Sequence, residues 1–587
     1  MVGSPFSGDA ACLFLEENAL LCSSKPTPSV VRFGVSSILV SMAVFASAGQ
    51  LPALSIGQPA IDAIGHSSLI GPAPVAQVVH LCVCLKMPNP TALQAFVDDV
   101  SDPVSPNYRQ FLSPDELGQK FGQPSSKVAA VVAYLKQQGF QIVRVSKDNL
   151  HILADGTVGQ AQSAFSVQIN RYHSLLSNEN GHVDYLAYAS SPKLPSGLAA
   201  VVEDVEGLQT WNKGVPASTL SPGQASVLYN TAPMVNGIPP GLGQGRTIGI
   251  SSWDGFDLSN TALYIQQFGL PVPTTGALSN VTVKTIGGGS EYGQRLAEGD
   301  LDPQMVIGQA PLSKIIIYDG AGGGDTATDA QVLSVYLTEM DDNAVDIVTE
   351  SYNWSLAEGT AIEAHMIHQL MSAEGITYMA ASGDAQSWWE QYIWYPDCEP
   401  EVLLVGGTSA DVDQFGNRQS EVAWDSGSGG WAGINYPFNK LPSWQKGYGV
   451  PTNINYRLNP DVAGHASGTA YSSEGAYYFF YYGYMTGGYI GTSFACPVFA
   501  GGLAVAEQQL VSLGKLKADR LGHYRLGRIQ NLIYSQNGNP SVWYDITQGS
   551  IGYLPNGQLA NAGPGWDFCT GWGAVNWAGF VNAYPSK

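Results

Sequence analysis

A serine hydroxyl stands in a glycine-rich turn in the stretch GGYIGTSFACPVFAGG, which runs from Gly487 to Gly502. Small and apolar residues follow Ser493 and predict a buried helix. A helix that begins there would hold backbone N–H groups beside a developing oxyanion, so Ser493 is a candidate nucleophile. A serine at a helix start is more often an N-cap, and this stretch alone leaves both interpretations open.

A serine nucleophile needs a base, and two carboxylates are the candidates. Glu298 and Asp302 lie four residues apart in AEGDLDPQM, so on a helix their side chains share one face. Two carboxylates held close together cannot both ionise easily, so the pair keeps a proton and titrates as a unit at raised pKa. Such a pair suits a general base that works in acid. A solvated acidic helix face would show the same spacing.

Asp384 is the third candidate, because it ends the strand-like apolar run ITYMAASGD. A protonated carboxyl at the carboxyl end of a strand can donate a hydrogen bond to an oxyanion. The alternative is a turn-forming Asp after Gly383. None of the nine histidines stands in a His-Gly-Thr context, which argues against a histidine-dependent subtilase.

Strands and helices in alternation must position these groups. Apolar strand-like runs recur as TIGISSW, KIIIYDG, VDIVTESYNW, ITYMAASGD and EVLLVGGT, and helical patterns cover 327–340 and 361–373. Both faces of such strands must be covered by other elements. The pattern therefore predicts an α/β domain with a mostly parallel, doubly wound sheet, whose active groups lie at the carboxyl ends of strands.

The residues before this domain predict a small α+β domain over 78–207. VVHLCVCLK alternates as a strand, a helical repeat of valines ends before Gly139, and SPDE at 113–116 is a capping box. The predicted organisation has five parts. They are an N-terminal extension with a signal peptide (1–48), a linker (49–77), the α+β domain (78–207), a processing linker (208–223) and the catalytic domain (224–587).

Composition narrows the classes of partner. The 587 residues include 48 acidic and 26 basic ones, a formal charge of −22. This balance argues against a nucleic-acid partner, because phosphate binding needs clustered Lys and Arg. It is typical of a protein that works in acid, although an ordinary acidic protein would show it too.

A secretory signal is predicted near the amino terminus. Arg32 precedes an apolar run over 33–45, and Ala46-Ser47-Ala48 has the small residues of a cleavage site. No membrane-embedded domain is expected. The seven cysteines are scattered and show no zinc-binding spacing.

Several ordered motifs together resemble the sedolisins, the serine-carboxyl peptidase family, preceded by an activation domain of the pro-kumamolisin type. The motifs are SDPVSPNYRQFLSPDEL, LPSGLAAVVEDVEGL, EGDLDPQMVIGQAP, ASGD, YPDCEPEVLLVGGTS, SGGWAGINYPFNKLPSWQ, LNPDV, GTSFACP and AGPGWDFCTGWG, and the resemblance covers most of 78–582. It implies a subtilisin-like fold. It also implies roles for four residues: Ser493 as nucleophile, Glu298 as base, Asp302 as its orienting and proton-sharing partner, and Asp384 as oxyanion partner beside the Ser493 N–H.

The resemblance also implies one calcium ion. WYDIT and AGPGWD are similar to the family's calcium site. By that similarity the ligands are the side chains of Asp545 and Asp567 and the backbone carbonyls of Ile546, Gly563 and Gly565. Hard oxygen ligands of this kind suit calcium.

The chain departs from the family pattern at several positions. Ile490 replaces the first serine of the usual Ser-Gly-Thr-Ser, and Ala385-Gln386 follows Asp384 where Ser-Gly is usual. Ser252 is expected where some members carry a further Glu, whereas Trp354 matches the family tryptophan beside the carboxylates. Pro303 follows Asp302 and disfavours an undistorted helix there.

The resulting expectation is a secreted, extracellular, acid-acting serine endopeptidase made as a self-processing zymogen. Its partners would be protein or peptide substrates and its own propeptide, bound as an intramolecular inhibitor. Two alternatives stay open: a tripeptidyl exopeptidase of the same family, and a catalytically silent secreted binding protein that keeps the fold.

Overall fold

The computed structural model describes residues 53–55, 64, 67–174, 184–209, 220–237, 240–290, 297–323, 326–384, 395–431, 436–467, 475–487, 489–554 and 556–585. The predicted signal peptide (1–48) and most of the predicted processing linker (208–223) lie outside the described residues. All described residues belong to the contact unit Leu51–Lys587.

A ten-stranded sheet forms the centre of the larger domain. Its strands are, in spatial order, Val281–Ser290, Lys314–Gly322, Thr247–Ser252, Ile347–Glu350, Thr377–Ala381, Leu403–Val412, Val462–Ser467, Ala574–Val575 and Trp543–Tyr544, with Arg418–Ala423 paired to Leu403–Val412. Among the described strands of this sheet, only Arg418–Ala423 and Trp543–Tyr544 pair antiparallel with their neighbours. The predicted mostly parallel, subtilisin-like sheet is confirmed.

Helices cover both faces of this sheet, as its apolar strands require. One face packs against Leu258–Phe268, Glu298–Gln309, Thr492–Ser512 and Trp577–Ala583. The other packs against Asp329–Asp342 and Glu358–Ala373, which the helical patterns at 327–340 and 361–373 predicted. Shorter elements are the helices Pro222–Leu228, Ala232–Val235 and Gln530–Ser535 and the strand pairs Gly430–Trp431 with Leu458–Asn459, Phe479–Tyr481 with Tyr484–Thr486 and Ser550–Tyr553 with Leu559–Asn561.

The strand order reverses beside Thr247–Ser252. This strand lies between Lys314–Gly322, which follows it along the chain, and Ile347–Glu350, which comes later still. The chain continues to strands on both sides of Thr247–Ser252, and at such a reversal of strand order a crevice opens at the carboxyl ends of the strands. A ligand site is therefore expected near the residues that follow Ser252 and Glu350.

The smaller N-terminal domain is built on an antiparallel sheet, in the order Gln141–Val145, His151–Thr157, Val78–Leu85 and Val202–Glu206. Its helices are Pro90–Ser101, Pro114–Lys120, Ser125–Gln137, Val158–Ala164 and Ser196–Ala199. Smaller sheets pair Ala53–Ser55 with Lys193–Pro195 and join Ser67–Pro72, Asn170–Ser174 and Asp184–Ala187. The α+β prediction is confirmed, and Ser113 with Glu116 forms the predicted capping box.

The N-terminal domain packs on two helices of the larger domain, Asp329–Asp342 and Glu358–Ala373, and shares a hydrophobic core with them. Polar contacts surround this core. The Arg528 guanidinium, for example, donates to Asp98 at 2.8 Å and to Glu401 at 2.9 Å. The two domains therefore contact each other through one continuous interface.

One described helix, Thr492–Ser512, is long and apolar enough to cross a membrane. Its apolar window is 89% buried inside the protein, where it packs against the central sheet. Burial by protein on all sides explains its composition, because a core helix has no solvated face to keep polar.

Candidate active site

Ser493 lies in the first turn of the helix Thr492–Ser512 and is 2% exposed. The N-cap of that helix is Gly491, so the interpretation of Ser493 as an N-cap is wrong. Its hydroxyl donates a long hydrogen bond, 3.5 Å, to the carbonyl oxygen of Ser351. A weakly held hydroxyl at a helix start has the position expected of a nucleophile.

Glu298 and Asp302 share one face of the helix Glu298–Gln309, whose residues are all buried. The two carboxyl-bearing residues are 2% and 0% exposed, so the interpretation as a solvated acidic face is wrong. Pro303 lies inside the helix, which nevertheless continues through it to Gln309. The missing N–H of Pro303 costs one helical hydrogen bond and leaves the spacing of the two carboxylates intact.

Burial controls the protonation of this pair. It raises the pKa of Glu298 well above its ordinary value, and the charges of Asp302 and Asp254 raise it further. A hydrogen bond with the Ser493 hydroxyl lowers the pKa of Glu298. Burial also raises the pKa of Asp302 to about 8, against the lowering effect of a hydrogen bond from Ser351. The pair therefore retains a proton through the acidic range.

Ser351 connects the pair to the nucleophile, and the sequence reasoning missed it. Its hydroxyl donates to Asp302 Oδ1 at 2.7 Å and lies 3.2 Å from the carbonyl oxygen of Ser493. It follows the strand Ile347–Glu350 directly, at the crevice that the strand order predicts. Its place just after a buried parallel strand is the signal that could have identified it.

Asp254 was also missed, although it follows the neighbouring strand Thr247–Ser252. It is 0% exposed, and its charge raises the pKa of both Glu298 and Asp302. A Cβ at Gly299 would lie 2.4 Å from the Asp254 carbonyl oxygen, so only glycine allows this close approach. Asp254 thereby stands at the amino-terminal end of the helix that carries the pair.

Asp384 contacts the start of the serine helix. Its Oδ1 accepts from the Thr492 backbone N–H at 2.7 Å and from the Thr492 hydroxyl at 2.8 Å. Asp384 and Thr492 are 108 residues apart in the sequence, so the Asp384 side chain does more than close a local turn after Gly383. Burial raises its pKa to about 6, and its charge in turn raises the pKa of Glu298.

Buried aromatic rings follow the two neighbouring strands Thr247–Ser252 and Ile347–Glu350. Trp354, the tryptophan singled out in the sequence, donates from Nε1 to Glu350 at 2.7 Å and packs edge-on against Trp253 with ring centres 4.7 Å apart. Ser252 donates at 3.4 Å to the Asp254 carbonyl oxygen. Trp253 and Trp354 are both 0% exposed, so they exclude water from around Glu350 and strengthen electrostatic effects there.

The residues predicted to bind calcium come together on two adjoining loops. Asp567 Oδ2 accepts from the Gly563 N–H at 2.8 Å, and Asp545 Oδ2 accepts from the Gly565 N–H at 2.9 Å. Ile546, next to Asp545, is buried. Burial raises the pKa of Asp567 to about 7, a cost that a bound cation would offset. The all-oxygen donor set and the buried carboxylate fit a hard divalent cation such as calcium.

Two family models match the chain. Residues 66–211 match the pro-kumamolisin activation domain, and residues 285–573 match the subtilase family. The two matches correspond to the smaller and the larger domain of the fold.

Curated relatives match along most of the chain. Sedolisin from Pseudomonas sp. (strain 101) is 28% identical over 599 residues, covering 93% of this chain and 95% of the relative. Xanthomonalisin from Xanthomonas sp. (strain T-22) is 27% identical over 598 residues, covering 90% of this chain and 67% of the relative. The solved structure of Pseudomonas sedolisin complexed with pseudo-iodotyrostatin has a TM-score of 0.51 at 23% identity, over 62% of this chain and 98% of that chain. At that identity the structural match supports the fold alone.

Proposed function

Since this chain belongs to the sedolisin family of serine-carboxyl peptidases and carries an activation propeptide, we propose that it is a secreted, acid-acting endopeptidase that processes itself. One observation carries the proposal. The buried pair Glu298–Asp302 contacts Ser493 directly and through Ser351, while none of the described hydrogen bonds of these residues involves a histidine. A serine with only carboxylates for a base must work where those carboxylates share a proton.

In the proposed mechanism, Ser493 Oγ attacks the carbonyl carbon of the scissile peptide bond, and its proton passes to Glu298. Asp302 orients Glu298 and shares a proton with it, and Ser351 fixes Asp302 through the 2.7 Å hydrogen bond. Glu298 then returns the proton to the leaving amine, which leaves an acyl-enzyme on Ser493. Attack by water, with Glu298 again as base, releases the second product.

The negatively charged oxygen of each tetrahedral intermediate must be stabilised by hydrogen-bond donors. The Ser493 N–H lies in the first helical turn, where backbone donors have no acceptor within the helix. Asp384 uses Oδ1 to hold Thr492, so a proton on Oδ2 supplies the second donor. Because burial raises its pKa from 3.8 to about 6, this donor is present below about pH 6 and is lost above it.

Cleavage inside a chain is the mode of action we propose, and product analysis tests it. A peptide with a blocked amino terminus should be cut at an internal bond by the mature enzyme, because an endopeptidase needs no free terminal amine. The matched control is the same peptide with a free amino terminus. Release of tripeptides from the free peptide together with no cleavage of the blocked one would instead identify a tripeptidyl exopeptidase.

We also propose one structural calcium ion on the loops that carry Asp545 and Asp567. A cation bound only by the folded state stabilises it by mass action, so a chelator should lower the melting temperature of the mature enzyme. A chelator-treated Asp567→Asn variant should show no further decrease. An unchanged melting curve, together with no calcium in elemental analysis, would contradict the site.

Secretion is proposed from the sequence before the described residues. The apolar run over 33–45 and the small residues that follow it have the pattern of a cleaved signal. An extracellular acidic medium would also match the protonation that Asp384 and the carboxylate pair require.

A further inference from the structure

We propose that the precursor binds one zinc ion between its two domains, with Cys84 and His151 of the N-terminal domain and Glu363 of the catalytic domain as ligands. The cluster is separate from the site described above. Among the described residues, the Cys84 sulfur, a His151 ring nitrogen and a Glu363 carboxylate oxygen all lie within 4.8 Å of one another. All three residues are buried.

Strand register brings the first two ligands together. Cys84 and His151 are directly opposite on neighbouring antiparallel strands, so their side chains share one face of the sheet. Cys82, two residues earlier on its strand, has the same orientation. Cys82 and Cys84 pack into the core shared with the catalytic domain, whereas Val83 and Leu85 pack into the core of the N-terminal domain.

The catalytic domain supplies the third ligand from the helix Glu358–Ala373. Glu363 Oε2 lies 3.3 Å from His151 Nε2. Two ligands on a tetrahedral zinc, each about 2.0 to 2.2 Å from the metal, stand about 3.3 Å apart. The nitrogen and oxygen are therefore already at the separation that a shared zinc ion imposes.

The imidazole is also oriented as in known zinc sites. His151 Nδ1 lies 2.6 Å from Asp148 Oδ2, and both residues are 0% exposed. A carboxylate on the far ring nitrogen fixes the tautomer and directs the other nitrogen at the metal. Here it directs Nε2 toward Glu363.

Cys82 is the candidate for a fourth donor, although its Sγ is not among the three ligand atoms that all lie within 4.8 Å of one another and must move toward the metal when zinc binds. Its Sγ lies 3.8 Å from Cys84 Sγ, and both are unpaired thiols. Two thiolates bound at about 2.3 Å to one tetrahedral zinc stand about 3.8 Å apart. A set of two sulfurs, one nitrogen and one oxygen is typical of zinc and unsuited to calcium or magnesium.

Two further buried carboxyl groups lie beside the cluster and could become charged next to a cation. Asp204 and Glu206 are the strand partners of Cys84 and Cys82, and each is 5% exposed. Among the residues that the structure describes, Glu206 Oε1 has no hydrogen-bond partner. The competing interpretation keeps protonated thiols and a charged His151 that pairs with Asp148 and Glu363, and it predicts that no metal binds.

The consequence concerns the two forms of the protein. Ligands come from both domains, so the intact precursor completes the site and the catalytic domain alone cannot. Zinc would therefore add stability to the domain contact of the precursor and would be absent from the mature enzyme. Binding itself does not depend on peptidase activity, so the metal test and the test of the proposed function can fail independently.

The experiment uses the full-length precursor with its thiols kept reduced, and it adds zinc, then removes loosely bound metal by dialysis. Elemental analysis should find about one zinc ion per chain, and the cobalt form should show sulfur-to-cobalt charge-transfer absorption with tetrahedral d–d bands. Cys84→Ser and His151→Gln should lose the metal and the bands. His80→Gln, on the same strand as Cys84 but partly exposed, is the matched control and should retain both.

Three results would overturn the proposal. They are a metal-free wild-type precursor after zinc addition, retention of zinc without the Cys84 thiol, and a Cys82–Cys84 disulfide in the native precursor. If the variants do not fold, X-ray absorption on the wild-type zinc form decides, because it must show sulfur in the zinc coordination shell.

Discussion

Ser493→Ala is expected to lower kcat/KM on a denatured protein substrate by about 10⁴-fold or more, because it removes the only atom that can form the acyl-enzyme. The fold should persist, since the Ser493 hydroxyl donates a long hydrogen bond of 3.5 Å to the Ser351 carbonyl oxygen and otherwise contacts Glu298, the base that it serves. Ser512→Ala, at the other end of the same helix, is the matched control and should keep full activity. Initial rates with purified mature enzymes provide the measurement.

The same variant tests self-processing. Wild-type precursor should stay intact near neutral pH and split on acidification to about pH 4, where the catalytic carboxylates reach their working protonation state. The Ser493→Ala precursor should remain intact in acid but be cut when a trace of active enzyme is added. Splitting of this variant alone at the wild-type rate would show that cleavage is not autocatalytic.

Glu298→Gln is the second change with a large expected effect. It should lower turnover by about 10²- to 10⁴-fold, the range for loss of a general base. Folding stability should be kept or increased, because Glu298 Oε1 has no hydrogen-bond partner in the described part of the chain and burial penalises the charged form. A melting curve and a rate measurement on the same preparation separate the two effects.

The matched control for this change is Glu339→Gln. Glu339 is also completely buried and its pKa is also raised by burial, but it lies on the helix Asp329–Asp342 on the opposite face of the sheet. Its variant should retain activity. Near wild-type turnover in Glu298→Gln would assign the base to another residue.

Local patterns predicted most of the fold and pointed to the four catalytic candidates, whereas the roles of those candidates were implied by the resemblance to the sedolisins. Helix periodicity places residues i and i+4 on one face, so the spacing of Glu298 and Asp302 already predicted a shared face. Apolar runs predicted the parallel strands and therefore the edge at which Asp384 lies. Both predictions depend on geometry within a few residues of the chain.

Features that depend on sheet order could not be predicted in the same way. Asp254 and Ser351 join the carboxylate pair because Thr247–Ser252 and Ile347–Glu350 are neighbours, although about a hundred residues separate them in sequence. The zinc ligands need a strand register and a domain contact as well. The sequence around Cys82 and Cys84 shows no zinc-binding spacing, because His151 and Glu363 are distant in sequence and only the fold brings them close to Cys84.

The pH dependence of kcat/KM for the mature wild-type enzyme on a denatured protein, from about pH 3 to about pH 8, tests the central claim most directly. A carboxylate-activated serine predicts a maximum in acid. Activity should decline above about pH 6 as Asp384 loses the proton that it donates, because burial raises its pKa to about 6. A maximum above about pH 7 with no acidic activity would contradict the mechanism, since the protonated Asp384 donor would then be absent.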